Sequence, residues 1–237
     1  MELQQALNTI AKENFRDQAD QDYICARINY RMKFREQFLW AGLQALEKYF
    51  KAILLFNGNS ARWENAADKN GRGEFGHNLT RLFAAVTLIK ELVVETPEWF
   101  SQFISYLEKF GINRYLTSNT YILGEELGKL DESIWTIRRY CRNIHWAPKG
   151  KDLCELIVSG INKPENREQP RKYIPFHGVL ETILKSSQND PARKSLIWNN
   201  QQYGQPECAE SADCPDREYP RRQRQNYYRP DRAQGDG

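Results

Sequence analysis

An all-α fold is what this sequence predicts, on three grounds. Residues 34–56 place Phe34, Phe38, Leu39, Ala41, Leu43, Leu46, Phe50, Ile53 and Leu54 on nearly every side of a helix. A helix apolar almost all round belongs in the middle of a bundle. Apolar residues recur at helical spacing in several further stretches, and none of the chain alternates at period two for long. The expected architecture is a bundle of about five to seven helices.

In chain order, Leu3, Ala6, Leu7, Ile10 and Ala11 make residues 2–12 a short amphipathic helix. Asp17 to Asp22 offer caps for the next one. The stripe Tyr23, Ala26, Tyr30, Phe34, Phe38 and Ala41 then leads into the central helix, either as one bent rod over 20–56 or with a break near 31–33. Asn57-Gly58 is a stop signal. The glycine-rich stretch 57–76, with Arg62, Trp63, Lys69 and Arg72, reads as a loop that is functional or disordered. Residues 77–94 are expected to be helical, with Leu79, Leu82, Phe83, Val86, Ile89 and Val93 on one side. Thr96-Pro97-Glu98 marks the start of a helix that stops at Gly111. Leu127, Leu130, Ile134, Ile137, Cys141 and Ile144 form the core face of a helix expected from about 125 to 146, where Pro148 ends it.

The resulting division is 1–19 as an N-terminal extension, 20–161 as the bundle, 162–187 as a linker with a short helix, and 188–237 as a disordered tail. The tail is poor in apolar residues, which leaves its ordering entropy without compensation. It ends in RRQRQNYYRPDR, where Arg221, Arg222, Arg224, Arg229 and Arg232 interleave with Tyr227 and Tyr228. Arginine for phosphates and tyrosine for base stacking suit a sequence-tolerant grip on single-stranded nucleic acid. The competing reading is a solubilising tail.

Composition excludes little. The net charge of +3 is small for 237 residues. Cys25, Cys141 and Cys154 read as small buried thiols, and the five cysteines show no metal-ligand spacing. The central helix is interrupted by Glu47, Lys48 and Lys51, so it is no membrane span. No basic-then-apolar leader opens the sequence, and a cytoplasmic location is expected. There is no phosphate-binding glycine loop, dinucleotide fingerprint, zinc-hydrolase motif or nucleophile elbow, so no cofactor is expected.

Chemistry is sought in two places. Gln44, Glu47, Lys48 and Lys51 form one polar stripe on the central helix, either a solvated edge or a seam facing a cleft. In WTIRRYCRNIHW (135–146), His145 lies about 20° from Arg138 around a continuous helix, about 60° from Arg142 and about 120° from Arg139. Ile134 and Cys141 on the same side put Arg138 and His145 at the rim of the core. Such a pair suits metal-free RNA cleavage: His145 deprotonates the ribose 2′-OH and Arg138 holds the phosphoryl oxygens. The competing reading is a helix-capping histidine beside arginines that bind carboxylates. His77, after Gly76, reads as a structural or capping group, and His177 is assigned nothing.

The run Ala41, Gln44, Glu47, Lys48, Lys51 and Ala52, followed after a loop by His77, Asn78 and Leu79, resembles the opening helices of HEPN-domain proteins. The resemblance covers about residues 20–146. It implies an HEPN-like all-α bundle, commonly dimeric, that acts on RNA. Active members are metal-independent endoribonucleases of toxin–antitoxin or phage-defence systems. Their arginine and histidine stand a few residues apart, brought together from two protomers. Carried over, His145 matches the histidine, and Arg138 and Arg139 both fit the spacing, making Arg138, Arg139 and His145 the expected catalytic residues. Arg142, Lys51, Arg221, Arg222, Arg224, Tyr227 and Tyr228 are the expected RNA contacts. This chain departs from the family pattern, in which a polar residue, often Asn, commonly follows the arginine: Arg139 and Tyr140 follow the two candidates here. The alternative is therefore a catalytically inactive HEPN module that binds RNA or nucleotide or dimerises, with a nucleotidyltransferase-type antitoxin as a possible protein partner.

Overall fold

The computed structural model describes residues 3–62, 64, 73–90, 92–112, 125–142 and 178–203. It is all-α, with no strand among the described residues. Helix α1 (Leu3–Ile10) passes through a π-helical segment (Ala11–Arg16) into α2 (Asp17–Arg31). Then come α3 (Arg35–Phe56), α4 (Leu79–Thr87), α5 (Phe100–Gly111) and α6 (Glu126–Arg138). Two short helices follow, α7 (Val179–Leu184) and α8 (Pro191–Ile197). No described helix is long and apolar enough to cross a membrane.

The central rod is α3, as its composition requires. Phe38, Leu43, Leu46, Phe50 and Ile53 are fully enclosed, each side chain contributing roughly 1.5–3 kcal/mol of transfer free energy. α2, α4, α5, α6 and the π segment all pack against α3.

The rod does not run on from α2. Lys33 takes a left-handed φ of 63°. Lys33 N then donates to Tyr30 O at 3.0 Å and Phe34 N donates to Asn29 O at 2.8 Å. This is the paired-bond helix termination that usually recruits glycine. The alternative of a break near 31–33 is the one the chain takes. Upstream, the chain stays helical from Leu3 to Arg31, so Asp17 and Asp20 lie inside a continuous helix and do not start α2.

Two expected helices end early. α4 stops at Thr87; Ile89 and Leu92 reach the core from irregular chain, and Val93 is exposed. α6 stops at Arg138 rather than near 146, because Tyr140 turns inward and is fully buried. The tail reading also needs correction at its start. Residues 188–203 include α8, whose Leu196 is fully buried, and Tyr203 packs near Tyr23 and Trp135. Residues 204–237 lie outside the described part.

The entry to α4 positions the site described below. Phe75 is buried and its N donates to Arg62 O at 3.0 Å. Gly76 takes φ +56°, a turn that a side chain would strain. Asn78 is the cap: its side-chain oxygen accepts from Arg81 N at 2.7 Å. Asn78→Ala is expected to cost about 1 kcal/mol, seen as a lower urea midpoint at unchanged slope.

Candidate functional site

The end of α6 is where the sequence placed its catalytic arginines, and both are buried, with 5% and 2% of their surface exposed. Arg138 is closed on two carboxylates. Its Nε and Nη2 donate to Asp20 at 2.7 and 2.8 Å, and its Nη1 and Nη2 donate to Glu181 at 2.5 and 2.7 Å. Burial works against the guanidinium charge, yet Asp20, with Glu181, holds its pKa well above the ordinary value. Asp20 also accepts from Tyr49 Oη at 2.6 Å and Leu180 N at 3.2 Å. Arg138 thus ties α2, α3, α6 and α7 together, rather than standing at a rim.

Arg139 lies with its guanidinium 5.5 Å from the Trp135 ring and 5.7 Å from the Tyr140 ring. Arg142 Nε donates back to Arg139 O at 3.1 Å. Since the helix ends at Arg138, the angular relation drawn to His145 along a continuous helix does not apply. His145, His177, Trp63, Lys69, Arg72, Cys154 and the tail residues Arg221, Arg222, Arg224, Tyr227 and Tyr228 lie outside the described residues. Of the thiols read as buried, Cys141 is so, whereas Cys25 is exposed.

The polar stripe of α3 is a seam. Lys48 pairs with Asp22 of α2. Glu47, on the enclosed side of α3, is buried, and three groups converge on it. Lys51 Nζ donates to Oε1 at 2.6 Å, Gln44 Nε2 donates to Oε2 at 3.3 Å, and His77 Nδ1 lies 2.7 Å from Oε2. A buried carboxylate is tolerable only with such partners. Lys51 also donates to Gly76 O at 3.5 Å.

A carboxylate only accepts hydrogen bonds, so the ring nitrogen facing Glu47 is the donor Nδ1–H. The other nitrogen, Nε2, then carries the free lone pair. The His77 side chain remains 53% exposed, so the ring can be approached from solvent. The Trp40 and His77 rings meet in a T-shaped arrangement, 5.9 Å between centroids. Chemically this is an imidazole fixed in one tautomer by a buried carboxylate, flanked by an ammonium and an indole. Such an arrangement can accept or return a proton at a defined point.

Sequence reasoning placed His77 among structural or capping groups. The cap is Asn78, and His77 faces Glu47 across 30 positions of sequence. The signal was present in the stripe, since Glu47 sits where a helix surrounded by others has no solvent side. Among the described residues, no group of three His, Cys, Asp or Glu is placed to hold a metal ion.

No protein-family model matches the chain, and neither the curated proteins nor the solved structures include one significantly similar to it.

Proposed function

We propose that the chain is an HEPN-like helical module that acts on RNA. The observation that carries this reading is the convergence of the two sequence blocks that resemble the family. Gln44, Glu47 and Lys51 from the first block and His77 from the second form one hydrogen-bonded cluster, though a long loop separates them in the chain. A cation, an imidazole and an indole on one face are the groups that grip a phosphate and a base. The tail arginines and tyrosines add charge and stacking of the same kind. A second protomer and a nucleotidyltransferase-type partner belong to this reading as proposals.

Within it, the commitment of Arg138 to Asp20 and Glu181 favours a second form: an RNA-binding module that does not cut at the end of α6. In the first form, the one the family resemblance implies, His145 is the general base and Arg138 or Arg139 the phosphate clamp of a metal-independent endoribonuclease.

Binding of a fluorescent single-stranded RNA to the full chain tests the reading. Affinity is expected to fall as salt rises, with a log–log slope of about −0.7 per phosphate contact. Lys51→Glu and deletion of residues 217–237 are each expected to weaken binding and flatten the slope. Failure of the folded protein to bind RNA at low salt removes the reading.

A further inference from the structure

We propose that His77, oriented by Glu47, is the proton-transfer group of an RNA-cleaving site on the α3–α4 face, with single-stranded RNA as substrate. The inference rests on the RNA reading above and moves the chemistry away from α6 to a different imidazole.

The geometry supplies each element such a site needs. Glu47 Oε2 holds the Nδ1 edge of the ring at 2.7 Å, so Nε2 is the only ring nitrogen left to take a proton. The half-exposed side chain lets a ribose approach. Lys51 is anchored through Glu47 Oε1 and Gly76 O. An ammonium has three N–H groups, which leaves one to meet a phosphoryl oxygen beside the imidazole. Trp40 borders the imidazole and supplies an aromatic ring beside it on which an unpaired base can stack. A duplex would keep its bases stacked away from that ring.

The step closes in protons and electrons. Nε2 takes the proton of a 2′-OH, the 2′ oxygen forms a bond to the adjacent phosphorus, and the bond from phosphorus to the 5′ oxygen breaks. The imidazolium returns the proton to the departing 5′ oxygen. The products are a 2′,3′-cyclic phosphate and a 5′-hydroxyl end. Lys51 stabilises the charge on the phosphoryl oxygens as the new bond forms. Glu47 touches no substrate; it is a positioning residue that keeps the tautomer and ring direction.

The test is cleavage of a labelled single-stranded RNA by the full chain in EDTA, with product ends read by mass spectrometry. Binding is read separately on the 2′-deoxy oligonucleotide of the same sequence. Cyclic phosphate ends are expected from the wild type. His77→Gln is expected to slow cleavage by about 100-fold or more while melting as the wild type does. Glu47→Gln is expected to lower the rate at saturating RNA by about 10-fold with little change in binding of the 2′-deoxy strand. Cutting by His77→Gln at the wild-type rate overturns the inference. So does binding of RNA by the wild type without cleavage, which leaves the RNA reading standing. Absence of both binding and cleavage overturns the two together.

Discussion

Arg138→Ala is expected to lower stability by about 3–5 kcal/mol, a large share of the roughly 5–15 kcal/mol that holds an ordinary domain folded. The reason is what it leaves behind. Asp20 is fully enclosed and Glu181 nearly so, and the guanidinium bridges both through its three nitrogens. Without it, two carboxylates face each other in the interior with no cation. The backbone has been drawn close to the same group. A Cβ at Gly178 would lie 2.6 Å from Arg138 Nη2 and 2.8 Å from Glu181 Oε2, so a side chain there would displace the ion cluster. Arg138→Lys keeps the charge but not the planar fork that spans two carboxylates, and is expected to recover only part of the loss. Urea unfolding of the three proteins reads the ordering. A variant Arg138→Ala that unfolds like the wild type yet loses RNA binding would show that this arginine serves a ligand and not the fold.

The same residue shows what a sequence makes legible. The all-α class and the central rod follow from spacing alone, because burial of one helix face imprints a period on the chain; the cap signal Thr96-Pro97-Glu98 lies just ahead of α5, which begins at Phe100. The side on which Arg138 lies was also legible, since it shares a face with Ile134. What was not legible is the partner. Asp20 stands 118 positions away and looked like a helix cap, although Asp20, Tyr23 and Arg27 share one face of α2 and are all buried. A charge on an enclosed face announces a countercharge without saying where it is. The end of α6 was missed for a related reason: Tyr140 leaves the helix to fill the core, and nothing local to RRYCRN signals that. The Glu47–His77 contact depends on the turn at Gly76, beyond a loop whose course no periodicity dictates.

Residues 188–203 were placed in a polar tail because composition was averaged over too long a window. Asp190-Pro191 is a cap followed by a first-turn proline, and Asp190 accepts from Ala192 N at 2.8 Å. What holds this piece down is a buried arginine on α2. Arg27 Nε donates to Ser195 O at 2.8 Å, and its other nitrogens reach Asp131 and Trp198 O. Tyr23 Oη donates to Asp131 at 2.6 Å and accepts from Asn200 Nδ2 at 2.8 Å. Burial pushes the Asp131 carboxyl up from its ordinary value, and Arg27 opposes that shift. Arg27→Ala is therefore expected to cost about 3–5 kcal/mol and to release α8 before the rest of the fold. Hydrogen exchange read peptide by peptide checks this: amides of 192–203 are expected to lose protection while those of α3 keep theirs. Replacing both partners, Arg27→Met with Asp131→Leu, removes the stranded charge and is expected to recover much of the global stability. The carbonyls of Ser195 and Trp198 still lack their donor in that double variant, so α8 is expected to stay open. Full protection of α8 in Arg27→Ala would mean that Leu196 and Tyr203 hold the segment by apolar contact alone.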